Sequence, residues 1–406
     1  MTTQTHILPN GLRIIHLPSD SHVAYCGFAI NAGARDEKPH EHGLAHFVEH
    51  TLFKGTRKRK AWHILNRMEN VGGELNAYTS KESTFIYSIF MEKDFGRATE
   101  LISDLIVNSQ FPENELKKER EVILDEIQSY EDSPSELIFD DFDNLLFEGH
   151  PLGHHILGNK RSLKSFDTTS GKTFLENFYT SENMVFFSMS RTDFRQVVKI
   201  AEKYLTGILS HKLPSARIEP CEIKARVVMK KKKTHLSHVI IGGRAFGMYS
   251  ENRYPLFLLN NIIGGPGMNN RLNVCLREKH GLVYNVESNV TSYTDTGVFS
   301  IYFGTDPKNR ERATCLVEKE LATLRSNKLT ATQLAAAKKQ AIGQLGVAGD
   351  NKESMFLGLG KSFLHFNRYE PLQEIFGKIE NITAQQILDT ANNILHPEKL
   401  FRLIYE

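Results

Sequence analysis

Gly43-Leu44-Ala45-His46-Phe47-Val48-Glu49-His50-Thr51-Leu52-Phe53 is the stretch from which the rest of the chain can be read. Its apolar spacing predicts a helix near Gly43 to Phe53. On that helix His46 and His50, four apart, project from one face, one turn above the other. Two imidazoles on one face can bind a zinc ion and leave room for a third ligand and a water. Glu49, one step before the second histidine, can reach that water and take its proton. This is the inverted order H-x-x-E-H of metal-assisted hydrolysis.

Strand-like runs precede the helix, at Leu12 to Leu17 and, almost wholly apolar, at Val23 to Ile30. A second helix is predicted near Ala61 to Val71, stopped by Gly72-Gly73. Strands at Leu75 to Thr79 and Thr84 to Phe90 follow. Further helices are predicted near Asp94 to Asn108, Glu113 to Tyr130, Glu136 to Phe147, Thr169 to Phe178 and Asp193 to Tyr204, with a strand at Met184 to Met189. Residues 207–224 carry Gly207, Pro214, Ser215 and Pro220 and little periodicity, and read as a linker. The order then restarts with strands at Ala225 to Met229 and His238 to Gly242. Helices follow at Tyr254 to Ile263 and Asn270 to Lys279, then strands at Val283 to Val290 and Val298 to Phe303. Four helical stretches fill Arg310 to Leu395, and a last strand is Leu400 to Tyr405. The halves share one order of elements, an internal repeat of about 200 residues, which fits a duplicated domain rather than a solenoid. The expected fold is α+β: two homologous sandwich domains, 1–210 and 225–406, each a mixed, largely antiparallel sheet with helices on one face. The second half has no His-x-x-Glu-His, so only the first is expected to hold a metal.

A hydrolytic zinc site needs three protein ligands and one open position. The best third candidate lies in Glu119-Arg120-Glu121-Val122-Ile123-Leu124-Asp125-Glu126-Ile127. Residues 119, 122, 123 and 126 form one helical stripe, which Val122 and Ile123 should turn inward. Glu119 and Glu126 would then be core-facing carboxylates, which need a cation or a hydrogen-bond network. Read alone, they are equally an ordinary charged helix. His42, four before His46, is a competing partner, but its place before Gly43 suits a turn. His154-His155 are neighbours that point apart, which suits a loop better than a chelate.

The chain has 406 residues, 40% hydrophobic and 24% charged, with a net charge of +2. The length implies two or more domains, and the composition a globular protein. The charge gives no case for nucleic-acid binding. Cys26, Cys221, Cys275 and Cys315 are scattered, as expected of free thiols in a reducing compartment. The N-terminal residues show no charged leader followed by an apolar run, and no stretch of about 18 apolar residues exists, so no membrane span is expected. A cytoplasmic, soluble protein is the expectation.

Gly43 to Thr56 resembles the active-site signature of the pitrilysin family, which includes insulysin, the mitochondrial processing peptidase and bacterial two-domain peptidases. The likeness continues through Asn70-Val71-Gly72-Gly73-Glu74-Leu75-Asn76-Ala77-Tyr78-Thr79 and Glu119 to Ile127. It returns at Arg271-Leu272 and at Arg277-Glu278-Lys279-His280-Gly281-Leu282-Val283-Tyr284. One departure is Ser190-Arg191, where the family usually has Gly-Asp at a turn. The resemblance implies zinc, one ion per chain, held by His46, His50 and Glu126, with Glu49 as general base and Glu119 supporting the ligands. It implies that Asn76 and Ala77 lie on a strand that pairs with an extended peptide. It further implies that Arg277 and Tyr284 contact substrate near the scissile bond and help the developing oxyanion. The expected function is a zinc endopeptidase acting on peptides or extended segments inside a closed chamber. With two repeats instead of four, the chamber implies a homodimer, or a heterodimer with a homologous chain. The alternative is a non-catalytic partner subunit, a type that has usually lost ligands.

Overall fold

A computed structural model of the chain describes residues 2–211 and 216–406, so residues 212–215 of the expected linker lie outside the described residues. The strands are β1 (Gln4–Ile7), β2 (Arg13–Pro18), β3 (Val23–Ile30), β4 (Glu74–Thr79), β5 (Thr84–Met91), β6 (Met184–Ser190), β7 (Val227–Lys230), β8 (Ser237–Ala245), β9 (Val283–Ser292), β10 (Gly297–Thr305) and β11 (Phe401–Tyr405). The first eight helices are α1 (Leu44–Leu52), α2 (Ala61–Glu69), α3 (Phe95–Asn108), α4 (Glu113–Glu131), α5 (Pro134–Leu146), α6 (Lys160–Leu163), α7 (Thr168–Phe178) and α8 (Phe194–Leu205). Then come α9 (Arg253–Gly264), α10 (Arg310–Ser326), α11 (Ala331–Ala348), α12 (Lys352–Phe366), α13 (Leu372–Glu380) and α14 (Ala384–Ile394). None of these helices is long and apolar enough to cross a membrane.

Several elements differ from expectation, the short α6 among them. The edge strand β1 is polar and mostly exposed, so it carries no hydrophobic alternation to read. Five helices rather than four fill Arg310 to Leu395, because Asn351 and Thr383 each cap a new one and Asn367, at φ 54°, ends α12. The helix expected over Asn270 to Lys279 is π-helical across Asn273–Glu278, where the Lys279 amide reaches back to the Val274 carbonyl.

The two sheets repeat one topology. The first runs β1-β2-β6-β3-β5-β4, and the second β7-β11-β8-β10-β9. Apart from the extra β1, each has a single parallel pair, β2 with β6 and β7 with β11, and is otherwise antiparallel. This shared topology supports duplication. β4 and β9 are corresponding edge strands.

The chain divides into two units that do not follow the expected boundary between 1–210 and 225–406. One comprises Met1–Gln128, His154–Arg217 and Gly349–Glu370; the other Ser129–Gly153, Ile218–Ala348 and Pro371–Glu406. Each unit thus includes a helix encoded in the other half. In the first, α1, α3, α7 and α8 cover one face of the sheet. The opposite face, with Ile15, Tyr25, Phe85 and Phe187, is covered by α12. In the second unit α5 does the same for Ile240, Tyr302, Leu403 and Tyr405. β6 is buried at every residue, consistent with a run of apolar side chains that must be covered on both faces.

α12 buries Phe356, Leu359, Gly360, Phe363 and Leu364, the i, i+3, i+4, i+7, i+8 stripe of a helix lying on a core. Phe356 stacks on Phe187 with ring centroids 4.3 Å apart. A Cβ on Gly360 would stand 2.7 Å from that same ring, so the glycine sets how closely helix and sheet approach. Gly360→Leu should therefore destabilise the protein by about 1–3 kcal/mol through overpacking, although leucine favours a helix interior over glycine by up to about 1 kcal/mol. Urea titration of both proteins checks the sign; a more stable variant would contradict the close packing.

Candidate active site

α1 is short and almost enclosed: Leu44, Ala45, His46, Phe47, Val48, Thr51 and Leu52 are all buried. Its entry needs a residue that tolerates a left-handed backbone. Gly43 supplies it, at φ 95°, and a Cβ there would stand 2.7 Å from the Leu157 carbonyl oxygen. The first amides of a buried helix also need acceptors. Both come from one side chain outside the helix. The Gly43 amide donates to Glu37 Oε2 (2.8 Å) and the Ala45 amide to Glu37 Oε1 (2.7 Å).

Glu37 is itself held. Its loop is tied to the β4–β5 turn by the amides of Ala34 and Arg35, which donate to the carbonyls of Ser80 and Lys81, and by the buried Arg35–Glu82 ion pair (2.6 Å). His154 Nε2 lies 2.8 Å from Glu37 Oε2, and His42 stacks on His154 with centroids 3.9 Å apart. Burial raises the Glu37 carboxyl well above its ordinary range, against the pull of the two amides and Lys81. Burial, then His42 and Lys81, push His154 down to about 3. Both shifts oppose the charged forms, so the contact is a hydrogen bond between imidazole and carboxyl rather than an ion pair. His154 lies in a loop, as expected, and from there helps seat the helix that carries His46.

At the other side of α1 the expected ligands converge. Atoms of His46, His50 and Glu126 all lie within 4.8 Å of one another. Glu126 Oε2 is 3.8 Å from Nε2 of both histidines. Donors about 2.0–2.2 Å from a tetrahedral zinc stand roughly 3.4 Å apart, so the set needs little movement to close. Burial, with His50 nearby, pushes His46 down to about 3, which keeps the ring neutral and its lone pair available. His46 Nδ1 is buried without a hydrogen-bond partner. Two imidazoles and a carboxylate, gathered at such expense of polar burial, fit a divalent metal such as zinc.

Glu119 is buried, with Oε2 3.3 Å from His50 Nδ1 and Oε1 2.7 Å from Lys54 Nζ. The inward stripe on α4 is narrower than expected. Ile123 is fully buried, but Val122 is 50% exposed and the Glu126 side chain 43% exposed. Along the helix, burial is greatest at Glu119 and Ile123 and falls off toward Glu126. Glu49 is largely buried, which raises its carboxyl; Thr79 and His50 pull it down and Glu126 pushes it up.

Asn76 and Ala77 lie on β4, where they pair with Tyr87 and Ile86 of β5. β4 is the edge of its sheet, so its other side carries no strand among the described residues. Arg277 and Tyr284 belong to the second unit. Arg277 is exposed in the π-helical turn, and Tyr284, 65% exposed, is on the edge strand β9.

Residues 14–160 match the family model described as Insulinase (Peptidase family M16), and residues 166–341 that of the Peptidase M16 inactive domain. The uncharacterized zinc protease YmxG of Bacillus subtilis is 32% identical over 397 residues, covering 97% of this chain and 96% of its own length. The chain belongs to peptidase family M16. The resemblance to pitrilysin-type peptidases drawn from the motifs therefore holds. This M16 chain is also 30% identical over 405 residues to the beta subunit of the Bos taurus mitochondrial-processing peptidase, covering 97% of the chain and 82% of that subunit. In fold it matches a Helicobacter pylori protease with a TM-score of 0.92 at 20% identity, over 100% of this chain and 99% of the other.

Sequence reasoning missed Glu37, which stands six residues before Gly43 with no periodic signal, and Lys54, which lay inside the quoted signature without a role. Because both Glu37 oxygens accept amide protons, Glu37→Gln must turn an NH2 toward one of the donors. A loss of about 1–3 kcal/mol is expected, read as a lowered melting temperature. An unchanged midpoint would mean that the start of α1 is capped by another group.

Proposed function

We propose that this M16 chain is a zinc-dependent endopeptidase that hydrolyses peptides or extended polypeptide segments. The observation that carries this reading is the meeting of His46, His50 and Glu126, with Glu49 one residue before His50 on the same helix. Bound there, one per chain, zinc would supply Lewis acidity, lowering the pKa of a water toward neutrality and polarising a carbonyl. Glu49 takes the proton of the attacking water and passes it to the leaving amine nitrogen. Its raised carboxyl makes it a better proton acceptor than an exposed glutamate. Glu119 fixes the His50 ring through Nδ1.

The free edge of β4 offers the backbone around Asn76 and Ala77 to an extended substrate, which would join the sheet as a further strand. Such binding selects unfolded segments over folded proteins. Arg277 and Tyr284 would hold the substrate near the scissile bond and support the developing oxyanion. The reading makes the working form a dimer enclosing a chamber, the pair on one chain serving the metal centre of its partner.

One observation favours a non-catalytic subunit: the second half matches a domain described as inactive. That match covers residues 166–341, whereas the ligands lie in the 14–160 match. The intact set of donors speaks for catalysis.

Glu49→Gln should keep zinc and fold while losing peptide cleavage, and a chelator should abolish cleavage by the unaltered protein until zinc is restored. Metal analysis alongside digestion of a mixed peptide library checks both, and near-normal cleavage by the variant removes Glu49 as the base. Mixing Glu49→Gln with Tyr284→Phe chains should restore part of the activity in verified mixed dimers. No recovery there would count against a pair acting across chains.

A further inference from the structure

We propose that Lys54 is a positioning residue of the metal centre, acting through Glu119 on the orientation of His50. The proposal rests on the metallopeptidase reading above and concerns a side chain to which that reading gives no task.

Lys54 stands two residues past the end of α1, where its amide donates to the Thr51 carbonyl (3.1 Å). The turn beyond it is pinned on the side from which α4 departs. The Gln110 amide donates to the Gly55 carbonyl (3.0 Å), and Thr56 pairs with Ser109 across a single β-bridge. Thr56 Oγ1 donates to the buried Asp104 carboxylate (2.7 Å), which also receives Arg59 Nη1 (2.6 Å). Lys54 thus starts from a fixed point between the C-terminus of α1 and the entry to α4.

From that point Nζ reaches Oε1 of Glu119 at 2.7 Å, and the other oxygen of the same carboxylate faces His50 Nδ1 at 3.3 Å. The Glu119 side chain is only 9% exposed, and that of Lys54 26%. A carboxylate buried to this degree depends on a cation beside it. The 3.3 Å separation lies just beyond the ordinary range of about 2.7–3.2 Å for an N–H···O bond. A small rotation of the carboxylate therefore decides whether His50 has a partner on Nδ1. Anchoring Oε1 removes that freedom. With Nδ1 held, His50 Nε2 stays directed at the point it shares with His46 and Glu126. Without Lys54, Glu119 is free to turn away and His50 loses the contact that orients its ring. The chain of action is ammonium to carboxylate to imidazole, and only the last member touches the metal.

The test is zinc affinity, measured by titrating Zn2+ into the metal-stripped full-length chain against a chromophoric chelator. Lys54→Met should bind zinc more weakly by up to roughly 10- to 100-fold, the range seen on losing an outer partner of a metal ligand, because the Glu119 contact to His50 is lost with it. Lys54→Arg, which keeps charge and reach, should stay near the unaltered protein. Because Lys54→Met leaves the buried Glu119 without its cation, its zinc-free melting temperature should fall, while its zinc-free circular dichroism at room temperature stays that of the unaltered chain, which separates positioning from a general loss of fold. If Lys54 works through Glu119, Lys54→Met adds little once Glu119→Gln is present, so the losses do not sum in the double variant. Should Lys54→Met not fold, Lys54→Gln takes its place in the same cycle. Undiminished zinc affinity in the lysine variant, additive losses, or an arginine variant as weak as methionine would each overturn the role. If the unaltered chain takes up no zinc, the metal-centre reading itself fails, and this role with it.

Discussion

Burying α1 is the constraint on which the rest of the first unit depends. A nine-residue helix carrying two histidines and a glutamate is packed among apolar side chains on most of its surface. Burial on that scale leaves polar groups that cannot go to water. The amides at its start are met by both oxygens of Glu37. His46 is kept neutral, the Glu49 carboxyl is raised, and Glu119 is drawn against His50 with Lys54 behind it. The properties wanted of a metal ligand and a base are thus consequences of where the helix lies. The same packing explains why α1 needs support at both ends: Glu37, His154 and the β4–β5 turn at its start, Lys54 and the Gly55–Thr56 turn at its end.

Duplication supplied two copies of this frame, and among the described residues only the first carries a cluster that could hold a metal, His46, His50 and Glu126. The sheets share strand order and the placing of their single parallel pair. In the second unit the helix α9 buries Leu256, Leu258, Leu259 and Ile263 and contains no histidine or glutamate. Its buried polar group is an amide instead, Asn261, which donates to Gln344 Oε1 (2.6 Å). What the second unit offers instead is exposed, namely Arg277 in a π-helical turn and Tyr284 on the strand that corresponds to β4. Each sheet completes its second hydrophobic layer with a helix from the other half of the chain, α12 in one unit and α5 in the other. Neither half of the sequence can cover both faces of its own sheet alone.

Much of this was legible in residue order. The strands β3 and β5, the helices α1 and α3, the repeat of elements and the set His46, Glu49, His50, Glu119 and Glu126 all follow from local spacing or from motif likeness. The elements that escaped are those whose pattern is not local. β1 is polar because it lies at an edge, and the π-helical turn differs from an α-helix only in which carbonyl an amide reaches. Val122 was expected inside because it is apolar, yet it is half exposed, since the buried stripe of α4 runs through Leu116, Glu119, Ile123 and Ile127. α5 and α12 were readable as helices, but an amphipathic stripe states only that an apolar surface exists and not which sheet meets it.

The sequence by itself determined the chemistry on offer: two imidazoles four apart, a carboxylate between them, and a second helix bearing two more. A period of 3.6 residues settles those relations within a single helix, whatever surrounds it. Tertiary structure alone decided that Glu126 would meet the histidines, that Glu37 and His154 would seat α1, and that Lys54 would close on Glu119. Apart from Glu37, only six residues before Gly43, those contacts join segments far apart in the chain, and they exist because packing around the first sheet brings α1, α4 and their turns into one place. Local periodicity cannot encode such distances, since they arise from burial shared across the whole core.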